Sequence, residues 1–129
     1  GQSYLGRHGQ PRSVRELGAH AWLSYDTTLD HIPDAQWLRQ HVPSPRFSMR
    51  TNQTVTLVAA CAAGHGLAIL PTAFELADAR LVRLLPRASL PTRDMWMVFH
   101  HDLRTNARVT ALGAWLVEVF ASEARTSGN

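Results

Sequence analysis

Arg46-Phe47-Ser48-Met49-Arg50, then Thr51-Asn52-Gln53, then the apolar run 55–63, closing on Gly64-His65-Gly66 and Leu67-Ala68-Ile69-Leu70, reads as strand, helix, strand. Phe47 and Met49 alternate with Ser48 and Arg50, the period of a strand. Thr51 or Asn52 suits a helix N-cap, Val55, Val58 and Ala62 recur at helical spacing, and Gly64 offers the left-handed residue that stops a helix. Residues 67–70 are apolar throughout, as expected of a strand covered on both faces. Two strands joined by a crossover helix make a parallel βαβ unit, so an α/β fold with helices packed on a sheet is expected.

Upstream, Ala21-Trp22-Leu23 and Tyr25 form a short buried strand, 21–25, whose aromatic content favours extended chain. Asp26-Thr27-Thr28 breaks it. Pro33 and Asp34 open a helical stretch, 35–41, with Trp37 and Leu38 towards a core and Pro43 and Pro45 ending it. Downstream, Pro71-Thr72 starts a short helix reaching Leu76, residues 81–85 make a strand stopped by Pro86, residues 86–94 a loop, and residues 95–99 a strong strand. After a turn at His101-Asp102, a long helix is expected from Asn106 to Ala124, with the tail 126–129 frayed. On that helix Leu112, Trp115, Leu116, Val119 and Phe120 stand along one face. Each large side chain gains about 1.5–3 kcal/mol on burial, so this face is expected to be covered by another chain or to stand out as a large apolar patch.

A chain of 129 residues suits one domain able to bury roughly two thirds of its unfolded surface. Hydrophobic residues at 45% and charged residues at 18% argue against disorder. The apolar run at 67–70 is too short to cross a bilayer, so no membrane is expected. The net charge of +3 would suit nucleic acid, but Arg7, Arg39, Arg80, Arg104 and Arg125 are dispersed among acids, the pattern of a solvated surface. Cys61 is the one cysteine and lies in an apolar helix, which fits a reducing cytoplasm. Gly1-Gln2-Ser3-Tyr4 has neither the basic start nor the apolar core of an export signal.

The order of these pieces resembles the C-terminal part of LysR-type transcription regulators. Four stretches carry it: Tyr4-Leu5 with Gly9-x-Pro11-x-Ser13 and Glu16-Leu17-x-x-His20; Arg50-x-Asn52 leading into Ala63-Gly64-x-Gly66-Leu67-Ala68-Ile69-Leu70-Pro71; Leu81-Val82-Arg83-Leu84-Leu85-Pro86; and residues 95–98 with His100, Asp102-Leu103-Arg104 and Arg108-Val109. The resemblance implies one lobe of a two-lobed, periplasmic-binding-protein-like effector sensor, with mixed sheet and flanking helices. Residues 1–99 would then be the second lobe with its hinge strands, and 100–129 a C-terminal helix packed on a first lobe that this sequence does not include. It implies a small-molecule effector carrying a carboxylate or another anionic or polar group. It also implies a dimer or tetramer, and DNA contact only through an absent helix-turn-helix.

In such a fold a ligand lies outside the carboxyl ends of the parallel strands. Thr51, Asn52, Gln53 and Thr54 offer amides and hydroxyls beside the free N–H groups of the next helix. Asn52 as a cap alone and Asn52 as cap plus ligand contact both stand, the second resting on the resemblance. Tyr25 and Asp26 close the strand 21–25 and reach the same cleft, Asp26 being equally apt as a turn residue. Pro71 lies at the rim or merely ends a strand, and His100 is a hinge or surface histidine or a ligand contact. Gly64-His65-Gly66 follows a helix and lacks the lysine of a phosphate loop, so it reads as a turn. His100-His101-Asp102 is not expected to chelate a metal, nor do Ser24, Ser48 or Cys61 have a base at a recognisable spacing, so neither an enzyme nor a cofactor is expected. Two other readings share the scaffold: a fragment of a periplasmic solute-binding protein of a transporter, against which residues 95–109 argue, and an enzyme lobe, which lacks an acid, base or nucleophile pair.

Overall fold

The computed structural model describes residues 1–85, 90–94 and 96–127, the side chains of Leu76 and 123–127 excepted. The chain divides into two units, Gly1–Thr92 and Arg93–Asn129. The first runs from helix α1 (Gln2–His8) through a 3-10 turn (Val14–Ala19) to strand β1 (Ala21–Tyr25), a second 3-10 turn (Thr27–Leu29) and α2 (Pro33–His41). Strand β2 (Arg46–Thr51), α3 (Thr54–Ala62) and α4 (Ala73–Ala77) follow.

β1 and β2 pair in parallel, and successive side chains of β1 leave on opposite faces. Trp22 joins Tyr4 of α1, Leu17, and Trp37 and Leu38 of α2 in one cluster. Leu23 and Tyr25 join Leu57 and Cys61 of α3 in another. The sheet is therefore covered on both faces, the α/β layering that the βαβ pattern implies. Between Trp22↔Phe47 and Leu23↔Met49 the register shifts by one residue, leaving Ser48 as a bulge whose hydroxyl donates to the His65 carbonyl at 2.9 Å.

The turn after α3 shows why two glycines stand there. Gly64 has φ +82°, the Gly64 N–H donates to the Cys61 carbonyl and the His65 N–H to that of Ala60, a Schellman stop. At Gly66 a Cβ would lie 2.8 Å from the Ala21 carbonyl oxygen. Only a glycine lets the returning chain approach β1 this closely. The Leu67 N–H then donates to Ala21 and the Leu67 carbonyl accepts from Leu23.

Several expectations need correction. Residues 67–70 do not form a full strand: Leu67 alone bridges, and its partner is Trp22 of β1 rather than β2. The chain keeps strand-like alternation all the same, Leu67 and Ile69 packing on one cluster and Ala68 and Leu70 on the other. Residues 81–85 are not a strand, and Leu85 has φ +50°, outside the extended region a ladder requires. No strand is assigned over residues 96–99. The expected strand stop at Pro86, the loop through residues 86–89, Met95 and the last two tail residues fall outside the described residues. Of the positions at helical spacing, Ala62 is buried and Val58 half-buried, but Val55 is 73% exposed, because α3 turns Leu57 and Cys61 inward with Ala62. Neither Thr51 nor Asn52 caps α3; Gln53 holds the cap position without a side-chain hydrogen bond. α1 was not anticipated. Its anchors are tertiary: the Gln2 N–H donates to the Arg80 carbonyl, and the Arg7 guanidinium donates to the Gly64 carbonyl at 2.6 Å.

The buried Tyr4 ties α1 to the start of β1, its hydroxyl accepting from the Ala21 N–H at 2.9 Å and meeting His20 Nδ1 at 3.3 Å. Burial pushes the His20 pKa below the usual 6.5, His8 and Arg46 act in the same direction, and Glu16 opposes them. An unfolded chain therefore binds the proton more readily than the folded one. His20 should leave stability intact above its unfolded pKa and erode it as pH falls below that value. Melting measured from neutral pH downward should show a steeper loss of Tm for the wild type than for His20→Gln; parallel curves would remove His20 as the cause.

The second unit holds a 3-10 turn (His101–Leu103) and helix α5 (Ala107–Ser127). Asn106 caps α5, its side-chain oxygen accepting from the N–H groups of Arg108 and Val109 at 3.0 and 3.4 Å. Gly113 is buried where Met97 packs, a Cβ there falling 2.8 Å from the Met97 methyl carbon. The apolar stripe is largely uncovered: Leu112 is 53% and Trp115 57% exposed.

Candidate functional site

The carboxyl ends of β1 and β2 lie side by side, with Tyr25 paired to Thr51. The chain passes from Thr51 over two residues into α3, so Tyr25, Thr51, Asn52, Gln53 and Thr54 gather at one edge. Tyr25 is buried, and its hydroxyl meets the Thr54 hydroxyl at 2.8 Å. The Thr51 hydroxyl accepts from the Gln53 N–H at 3.2 Å, which fixes the bend before the helix. Asn52 and Gln53 are exposed. Since no side chain caps α3, the first N–H groups of that helix keep the polarity of an open helix start.

Asp26 serves as a turn residue, its carboxylate accepting from the Thr28 N–H at 3.0 Å while its own N–H donates to the Thr51 carbonyl. Arg50 borders the same edge and was not singled out from sequence. Its Nε donates to the Tyr25 carbonyl at 3.0 Å, and its guanidinium pairs with Asp30, which also binds Arg39 at 3.0 Å. The Arg50-x-Asn52 spacing was the available signal, but only strand pairing puts the guanidinium over the end of β1. Asp34, buried in the first turn of α2, was also missed. An acid there faces the positive end of its own helix.

Pro71 is exposed, its carbonyl accepts from the Phe74 N–H at 3.2 Å, and it lines a separate apolar cavity. His100 belongs to the second unit, where it caps the 3-10 turn by accepting from the Asp102 N–H at 3.4 Å. His100 and His101 each lie beside the Asp102 carboxylate, at 3.3 and 3.1 Å, with all three side chains exposed. Among the described residues no group of three or more His, Cys, Asp or Glu is placed to hold a metal ion. No helix among them is long and apolar enough to cross a membrane.

A family described as LysR substrate binding domain matches residues 2–121. The HTH-type transcriptional activator AaeR of Escherichia coli K12 is 29% identical over 129 residues, covering 92% of this chain and 41% of the relative. The quorum-sensing regulator A of Escherichia coli O6:H1 and that of Escherichia coli O157:H7 match with the same identity and coverage. The chain thus spans about two fifths (41%) of the length of the curated relatives it matches. No solved structure matches the chain.

Proposed function

The chain belongs to the LysR substrate-binding domain family, whose fold is periplasmic-binding-protein-like, and from that premise we propose that it is the effector-sensing part of a longer transcription regulator. A small molecule with a carboxylate or similar anionic group rests against the edge formed by Tyr25, Thr51, Asn52, Gln53 and Thr54, with the opposite wall supplied by a first lobe outside this sequence. Residues 1–99 act as the second lobe. The C-terminal helix covers the first lobe with its Leu112 and Trp115 face. Pro71 and His100 are secondary candidates for ligand contact. Effector binding changes the populations of open and closed forms, which requires different affinities for the two. That change reorients a dimer or tetramer bound to DNA through its helix-turn-helix, in the cytoplasm.

The observation that carries this reading is the exposed polar edge at the carboxyl ends of parallel strands, beside a helix start that no side chain caps. A thermal-shift screen of metabolites on the complete regulator tests it, followed by mapping of amide signals. At least one anionic metabolite should raise Tm and perturb residues 25 and 51–54. Stabilising ligands that leave those signals unmoved would refute the site.

A further inference from the structure

A mainly apolar cavity of about 150 Å³, partly open to solvent, is formed by the first unit and lined by Leu5, Leu17, Trp22, Trp37, Ile69 and Leu84 among others. Of the candidate effector contacts Pro71 lines it, whereas Tyr25, Thr51, Asn52, Gln53 and Thr54 do not. We infer that this cavity is a second small-molecule site, selective for a neutral planar ring no larger than indole. The volume, on the order of 150 Å³, is that of an apolar protein cavity which accepts one benzene-sized ring.

The walls are held independently of any occupant. Trp22 Nε1 donates to the Leu17 carbonyl at 3.1 Å, and Trp37 stacks on His41 with ring centroids 4.3 Å apart. Leu67 is tied to β1 by two backbone hydrogen bonds. Arg83 pairs with Glu75 at 2.9 Å in the same lining. Walls tied in this way resist closing, so an occupant regains dispersion contacts that the empty cavity lacks.

The same bonds define the ligand's chemistry. Glu75 and Arg83 are the charged side chains in the lining and pair with each other, and the Gly1 amino group donates to the Cys61 sulfur at 3.6 Å, so an apolar ring fits the space better than a charged one. The Trp22 N–H is already committed, so polar substituents gain nothing from it. Two indole walls favour a flat ring by offset or edge-to-face contact.

The test uses the 129-residue chain with indole as probe and benzoate as the charged control. About 5 mM indole should raise Tm by about 4 °C, with benzoate producing no more than about 1 °C. Indole should shift the side-chain N–H signals of Trp22 and Trp37 and the amides of residues 67–70 and 72, leaving residues 25 and 51–54 in place. Leu84→Trp, which fills the space, should abolish both responses. If that variant does not fold, Val82→Trp at the rim serves instead, and the wild-type signal map stands without either. The inference is overturned if indole moves neither Tm nor these signals, if benzoate acts as strongly, or if the shifts fall on Trp96 and Trp115. The effector edge is not probed, so failure here leaves the proposed sensor intact, and failure of the sensor leaves this cavity intact.

Discussion

In the complete regulator, Asn52→Ala is expected to raise the effector concentration needed for half-maximal response about tenfold to a hundredfold, the cost of one lost hydrogen bond to a charged group. DNA binding without effector should be unchanged. The structure makes this substitution clean: Asn52 is exposed and lies one residue before the cap position, so its amide is not committed to holding α3. Titration of the effector in a DNA-binding or reporter assay, with Tm of the purified variant as control, reads the effect. An unchanged titration removes Asn52 from the site.

Leu57→Ala should cost about 2–5 kcal/mol of folding stability, since a buried leucine leaves both lost transfer energy and a residual void. Leu57 is 1% exposed and packs with Leu23, Tyr25 and Cys61. These residues join α3 to β1 and so hold the helix start against the Tyr25 end of the strand. Urea unfolding should show a lower midpoint with unchanged slope. Val55→Ala in the same helix, at 73% exposure, should stay within about 0.5 kcal/mol. Equal losses at the two positions would mean that α3 turns its other face to the sheet.

These two positions also mark how far sequence reading reaches. α3 is apolar almost all round, and a helix of that kind has no polar stripe to say which side faces the sheet. Spacing therefore grouped Val55 with Val58 and Ala62, while packing buried Leu57 and Cys61 beside Ala62 and left Val55 outside. The cap was misplaced by one or two residues for a related reason. Thr51, Asn52, Gln53 and Thr54 are all polar, and only the bend at Thr51 decides where helical geometry begins. In α1 the sequence Gln-Ser-Tyr-Leu-Gly-Arg-His has a glycine and little periodicity. It is helical because Tyr4, Arg7 and Gln2 find partners far along the chain.

The candidate site was legible as a cluster but not as a geometry. Thr51 through Thr54 are contiguous, so their proximity required no structure, and Tyr25 followed from its place at a strand end. Arg50 over the Tyr25 carbonyl was invisible because the contact crosses from one strand to the next. The apolar cavity was equally hidden, since its walls come from segments as distant as Leu5 and Leu84.

From sequence alone came the α/β class, strand β2 running into α3, the stop at Gly64, the long amphipathic C-terminal helix and the family. Each rests on local periodicity, turn chemistry or short motifs, which need no knowledge of distant partners. Tertiary structure alone decided that the chain after Gly66 pairs with β1 rather than β2, which face of α3 is buried, and where a cavity remains. Those outcomes depend on which surfaces meet when the layers pack, and close packing is a property of the assembled chain that no single segment carries.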